Sequence, residues 1–192
     1  MRCFLPNNNS MNMFATLKQY GFFTYGKIVP GLMLYGKPAP YPVLNERAIR
    51  AGAGLMFLGG AFSFFHAFYL ANFLYLQIFV TVFFFDFLMK VVVGTRFSLI
   101  SQIANFIVRG QHPEYVGAIQ KRFAWSIGLV LSGTMLLLLF VFDVRGAINL
   151  TICSLCLTFM FMESAFGICV GCKMYNALLA AGIIPKPAVK PV

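Results

Sequence analysis

Charge is what this chain has least of. Asp, Glu, Lys and Arg make up 10% of its 192 residues, and Asp and Glu together number only 5. With 2 His besides, no nucleophile, base and orienting acid fall into the pattern a hydrolase needs, and no glycine-rich loop is built to cradle phosphate. A cleavable signal peptide is also missing from the pattern, because MRCFLP runs into an Asn/Ser stretch rather than an apolar core, and Cys3 has no lipobox around it. Nor is there the evenly spread cysteine framework of a small secreted fold: of 5 Cys, four stand as two C-x-x-C pairs inside apolar sequence.

What is abundant is grease. Hydrophobic residues reach 60%, with 23 Phe, far outside the globular norm. The composition predicts an all-α membrane protein whose first partner is the lipid bilayer. A formal net charge of +10 would point a soluble protein toward nucleic acid, but in so apolar a chain Lys and Arg serve to set orientation, and no nucleic-acid partner is expected.

Four stretches are long enough for the roughly 20 residues that a helix needs to cross the hydrocarbon. They run over about 48–70, 73–93, 123–142 and 147–172. Residues 97–108 are too short to cross, and the spacing of Phe97, Ile100, Ile103, Ala104, Phe106 and Ile107 predicts a helix lying at the membrane surface between spans two and three. Ahead of the spans, residues 1–46 read as an irregular arm rich in Gly, Pro and aromatics, with Tyr-Gly-Lys recurring at Tyr25 and Tyr35. The expected division is therefore an arm over 1–46, a four-helix domain over 47–176 and a tail over 177–192.

Basic residues fix the predicted direction. All of them except Arg145 fall in or beside the arm, the 94–122 loop or the tail, so these segments and both termini are expected in the cytoplasm. Asp86 and Glu163, the two carboxylates within spans, then sit in the inner half. Charge buried in hydrocarbon is expensive, of order 3 kcal/mol per group, so both need partners. Lys90 is one turn beyond Asp86 and can pair with it; Arg50 or Arg122 can reach Glu163. Arg47, Arg50, Asp86, Lys90, Arg122, Glu163 and Lys173 form a candidate polar cluster on that side. It either locks helix order or lines a site. His66, near the outer end of the first span, reads as an interfacial side chain.

The cysteines carry the chemical signal. If the fourth span is continuous, Cys153 and Cys156 lie toward its outer end and Cys169 and Cys172 at its cytoplasmic end. A 16-residue offset is then roughly 24 Å, too far for one metal or one disulfide despite a zinc-ribbon-like interval. The expected metal set is accordingly none. At a helix C-terminus the dipole opposes a thiolate while Lys173 favours it. Glu163 falls some 120° and 180° around the helix from Cys169 and Cys172, a poor base unless the chain unwinds near Gly167. Gly167 and Gly171 form G-x-x-x-G, a helix-packing motif. Cys153 and Cys156 have the stronger claim to be simple packing residues.

Several motifs in order, VLNERAIRAGAGLMF at 43–57, FFDFLMK at 84–90, PEYVGAIQKRFAWSIG at 113–128, INLTICSLCL at 148–157 and ESAFGICVGCKMYN at 163–176, resemble the bacterial membrane-protein family known as domain of unknown function 4395. The likeness runs over about 25–176. Asn45, Glu46, Arg47, Asp86, Lys121, Arg122, Phe123, Glu163, Cys169, Gly171, Cys172 and Tyr175 match its signature, while Lys90 stands where Arg is commoner and Ile119 where Pro is. The resemblance implies a multi-span protein of the bacterial inner membrane and lends no activity or cofactor.

Three functions follow from the residues. The first is thiol-disulfide or sulfur-species handling by Cys169 and Cys172 with a thioredoxin-like partner, Cys153 and Cys156 serving as a second thiol pair. The second is an accessory subunit of a larger membrane complex. The third is soft-metal or small-solute carriage with help from Met160, Met162 and Met174.

Overall fold

The computed structural model describes residues 42–143 and 146–183, together with the backbone of Met33–Leu34 and Lys37–Pro38. Cys3, Tyr25, Tyr35, Arg145 and residues 184–192 lie outside the described residues, and with them most of the arm and tail expectations.

Met33–Leu34 (β1) and Lys37–Pro38 (β2) form a two-residue antiparallel pair. Six helices and a second strand pair follow. Val43–Asn45 (β3) leads directly into α1, Glu46–Tyr69, where the Asn45 side chain accepts from Arg47 N at 3.1 Å and Glu46 occupies the first turn. Both features satisfy or complement the unpaired N–H groups of a helix start. Then come α2, Leu74–Val92, and the short α3, Leu99–Ile107. Tyr115–Gly117 (β4) leads into α4, Ala118–Leu136, which a π-helical turn carries on through Leu137–Val141. Last are α5, Ala147–Phe166, and α6, Val170–Ala180.

Four of these helices, α1, α2, α4 with its π turn, and α5, are long and apolar enough to cross a membrane. Large apolar side chains such as Leu58, Phe62, Phe85, Phe140 and Phe161 are exposed around them. Water does not tolerate so much open apolar surface, and lipid does. This is a multi-pass membrane protein.

Strand pairing sets the relative position of the helix starts. β3 and β4 are antiparallel with Leu44 opposite Val116, and the clasp extends into both helices through Glu46 N to Glu114 O at 2.7 Å and Ala118 N to Pro42 O at 3.0 Å. α1 and α4 therefore begin at the same end of the bundle, the strand end. α1 packs on α2, α3 and α5; α4 packs on α2 and α6; direct contact between α4 and α5 is sparse. The α1–α5 seam is close because Gly54 and Gly60 leave room for Ser164 and Leu157, whose atoms stand 2.9 and 2.7 Å from where a Cβ would be. Small residues at a seam are how helices approach each other in lipid, where no hydrophobic effect drives them together. Two apolar cores result, Met56, Phe83, Phe87 and Trp125 toward the strand end and Leu76, Val80, Met135 and Leu139 toward the other.

Three sequence expectations change here. The end of the supposed arm is strand β3, not irregular chain. The fourth span is not continuous to residue 172: α5 stops at Phe166, Gly167 takes a left-handed conformation with φ 67°, and a new helix starts at Val170. That new helix also claims residues up to Ala180, so the tail begins later than expected. The short helix expected from the 97–108 stretch is present as α3, capped by Ser98, whose Oγ accepts from Ser101 N at 3.0 Å.

Candidate functional site

The break after α5 is built from three contributions. Gly167 adopts the φ that L side chains avoid, and the helix ends with Gly167 N donating to Glu163 O and Ile168 N to Met162 O, each at 3.1 Å. Arg50 on α1 donates to the carbonyls of Ser164 at 3.4 Å and Ala165 at 3.2 Å. Those carbonyls belong to the last turn, which has no helical partners for them, so a guanidinium there closes the helix end. Lys121 on α4 donates to Glu163 Oε1 at 2.7 Å, with side-chain exposures of 3% and 12%.

Past the break, Cys169 is the N-cap of α6. Its backbone is extended, φ −84° and ψ 102°, and its Sγ accepts from Cys172 N at 3.3 Å. The sequence reading had put both thiols at a helix C-terminus; the correction reverses the local field, since amide N–H groups now point at Cys169 and favour negative charge on its sulfur. Cys169 and Cys172 are bonded to each other as a disulfide, with Cα atoms 5.2 Å apart, within the ordinary span. Cys169 is buried and Cys172 half-buried. Cys153 and Cys156, in the middle of α5, are free.

α6 is pressed onto the start of α4. A Cβ on Gly171 would lie 2.6 Å from Ala124 Cβ and 2.8 Å from Ala124 Cα, so only glycine fits. Tyr175 stacks obliquely on Phe123 at 5.4 Å, and Gln120 donates to Asn176 at 3.1 Å. Residue order runs oppositely in the two helices, which makes the packing antiparallel. Of the G-x-x-x-G pair, Gly171 serves close helix contact as expected, whereas Gly167 makes the turn.

The expected polar cluster divides into separate ties rather than one basin. Asp86 and Lys90 pair at 2.6 Å along α2, both buried, and Ser98 Oγ donates to the other Asp86 oxygen. The Lys90 ammonium also lies 5.4 Å from the Phe87 ring, a favourable cation–π placement. This unit anchors the α2–α3 turn. Arg47 bonds Glu114 through two nitrogens and Gln111 at 3.3 Å, bracing the strand clasp. Glu163 takes Lys121 as partner, not the expected Arg50 or Arg122. Arg122 and Lys173 are exposed at the strand end. His66 is at the opposite end, its Nδ1 2.9 Å from Phe62 O and its ring 4.8 Å from Tyr75.

Sequence reasoning missed Ser98 and Glu114 and gave Glu163 the wrong partner. Ser98 carried a cap signal, a serine just before an apolar helical run. Lys121 opens α4 at the strand end, and its register relative to Arg122 decides which of the two turns toward the bundle.

One cleft joins the chemical groups. Between α4 and α5, over Phe83 and Phe87 of α2, lies an opening whose walls include Trp125, Cys156, Met160, Glu163 and Cys169. Cys156 and Met160 also line the neighbouring apolar cavity beside Cys153. The break at Gly167 thus places Glu163 and Cys169 on the same space, which a straight helix would have denied. Among the described residues, no three His, Cys, Asp or Glu side chains stand together as a metal cluster.

The family model described as Domain of unknown function (DUF4395) matches residues 44–180. No curated protein and no solved structure matches the chain.

Proposed function

Since the chain belongs to the DUF4395 family, whose name carries no activity, we propose that it is a membrane thiol-disulfide protein working through Cys169 and Cys172. The observation that carries this reading is the N-cap position of Cys169 beside a half-buried Cys172, at the end of a membrane helix rather than inside it. The strand end holds Arg47, Arg50, Lys90, Lys121, Arg122 and Lys173, which supports a cytoplasmic face there under the positive-inside rule, with both termini inside and α3 lying at that interface. A bacterial inner membrane is the corresponding location.

In this reading the two sulfurs have different tasks. An incoming thiolate from a soluble thioredoxin-like partner reaches Cys172 more easily. A bond forms between its sulfur and Cys172 Sγ, the Cys169–Cys172 bond breaks, and Cys169 leaves with the electron pair. The Cys172 amide at 3.3 Å and the start of α6 stabilise that departing thiolate, and a better-stabilised leaving thiolate leaves faster. A second thiol of the partner then displaces Cys172, leaving a dithiol here and a disulfide on the partner. Both protons of the partner's thiols end on Cys169 and Cys172.

Excess reduced glutathione tests this on the purified protein in lipid nanodiscs. After acid quench, mass mapping is expected to find the glutathione adduct on Cys172 in preference to Cys169. A bond that opens only in denaturant would contradict the proposal.

A second reading has one observation in its favour. Of the 20 residues of α5, only Asn149 and Cys153 are fully buried, which leaves a membrane-facing side on which a helix of a larger complex could pack, as an accessory subunit requires.

A further inference from the structure

We propose that the cleft between α4 and α5 binds a lipid-soluble quinone that takes the electrons from the Cys169–Cys172 dithiol. The proposal rests on the thiol-disulfide reading and supplies its missing electron acceptor.

Four features select this occupant. First, the sparse contact between α4 and α5 leaves the bundle open between two membrane-length helices, so entry is from lipid and favours an apolar molecule. Second, its lining is mostly apolar, with Glu163 as the charged exception, the composition usual in small-molecule sites. Third, its floor and wall are aromatic: Phe83 and Phe87, with ring centres 4.5 Å apart, Trp125 and Phe159. Such faces suit a flat ring. Trp125 also brings an indole N–H, a donor with no acceptor function; a quinone carbonyl is an acceptor. Fourth, buried Cys169 lies on the cleft while half-buried Cys172 serves the outside, so one sulfur is offered to each side.

The step balances without a further reagent. Cys169 and Cys172 give up two electrons and two protons and form their S–S bond; the quinone takes both electrons and both protons and leaves as quinol. Cys156 borders the same cleft and continues to Cys153 through the adjoining cavity, which gives the second thiol pair access to the same carrier.

The chain has a single tryptophan, and it lines the cleft, so binding can be read directly. Decylubiquinone is titrated into the protein in nanodiscs while Trp125 fluorescence is followed. Saturable quenching is expected, at least about tenfold weaker in Leu131→Phe and in Ile127→Phe, two cleft-wall changes checked for folding by their retained Cys169–Cys172 disulfide. Binding is expected to persist in a Cys169→Ser/Cys172→Ser variant. Added anaerobically to pre-reduced protein, one equivalent should yield one disulfide and one quinol. Quenching that rises linearly with lipid partitioning, saturable quenching unchanged by both wall variants, or binding without dithiol oxidation would each overturn the proposal. Glutathione opening of the disulfide without saturable quenching sinks the quinone and spares the thiol reading. Saturable quenching with a disulfide closed to glutathione sinks the thiol reading and, with it, the acceptor role assigned here.

Discussion

C153SLC156 and C169VGC172 share a motif and a spacing, and both lie within 10 residues of Glu163, yet one is a pair of free thiols and the other a disulfide. The first lies within a continuous helix, where side chains three apart share a face but point the same way. The second begins a helix. At an N-cap the first residue is extended rather than helical, so Cys169 folds over the first turn toward Cys172. What distinguishes the pairs is thus a backbone break two residues upstream, made by Gly167 and held by Arg50 and Lys121 from two other helices. The lesson is that a cysteine motif acquires chemistry from where its helix starts.

The comparison can be broken from the side chains or from the backbone. Lys121→Met is the larger perturbation. It leaves the Glu163 carboxylate buried without its ammonium, a loss of about 3–5 kcal/mol for a buried pair broken on one side. Thermal unfolding in detergent should show the drop, and a companion Glu163→Gln in the same chain should recover part of it. Because the tie lies just ahead of the break, alkylation of Cys169 and Cys172 after reduction should quicken while that of Cys153 changes little. Equal quickening at both pairs would show that Lys121 supports the bundle in general.

Gly167→Ala is the smaller and more pointed change. A left-handed φ costs a non-glycine residue about 1–2 kcal/mol, and the added Cβ would lie 3.4 Å from the Arg50 guanidinium. The strain favours helical φ at 167, which makes the second pair resemble the first. The expected outcome is a lower fraction of Cys169–Cys172 disulfide at a fixed glutathione potential. An unchanged fraction would mean that the turn does not depend on glycine.

Much of this molecule was legible in its sequence. Four apolar stretches gave four membrane-length helices because hydropathy over some 20 residues is a strong signal. The Asp86–Lys90 pair was legible too, since both partners are on one helix at a spacing that geometry dictates. Family membership followed from ordered motifs. The break at Gly167 was harder to see. A glycine inside an apolar run reads equally as a packing residue or a helix end, and the deciding contact, Arg50 on the Ser164 and Ala165 carbonyls, joins residues more than a hundred positions apart. Glu163's partner was misjudged for a related reason: Lys121 and Arg122 are adjacent, so which one points inward depends on a helix start that β4 sets by pairing with β3.

The most direct measurement of the central claim is differential cysteine trapping in native membranes. Free thiols are blocked with one maleimide, the sample is reduced and denatured, and the newly released thiols are marked with a heavier one before peptide mapping. The account predicts the heavy mark on Cys169 and Cys172 and the light mark, if any, on Cys153 and Cys156. A light mark on Cys169 and Cys172 under conditions that leave other membrane disulfides intact, or a heavy mark shared by all four, would contradict it.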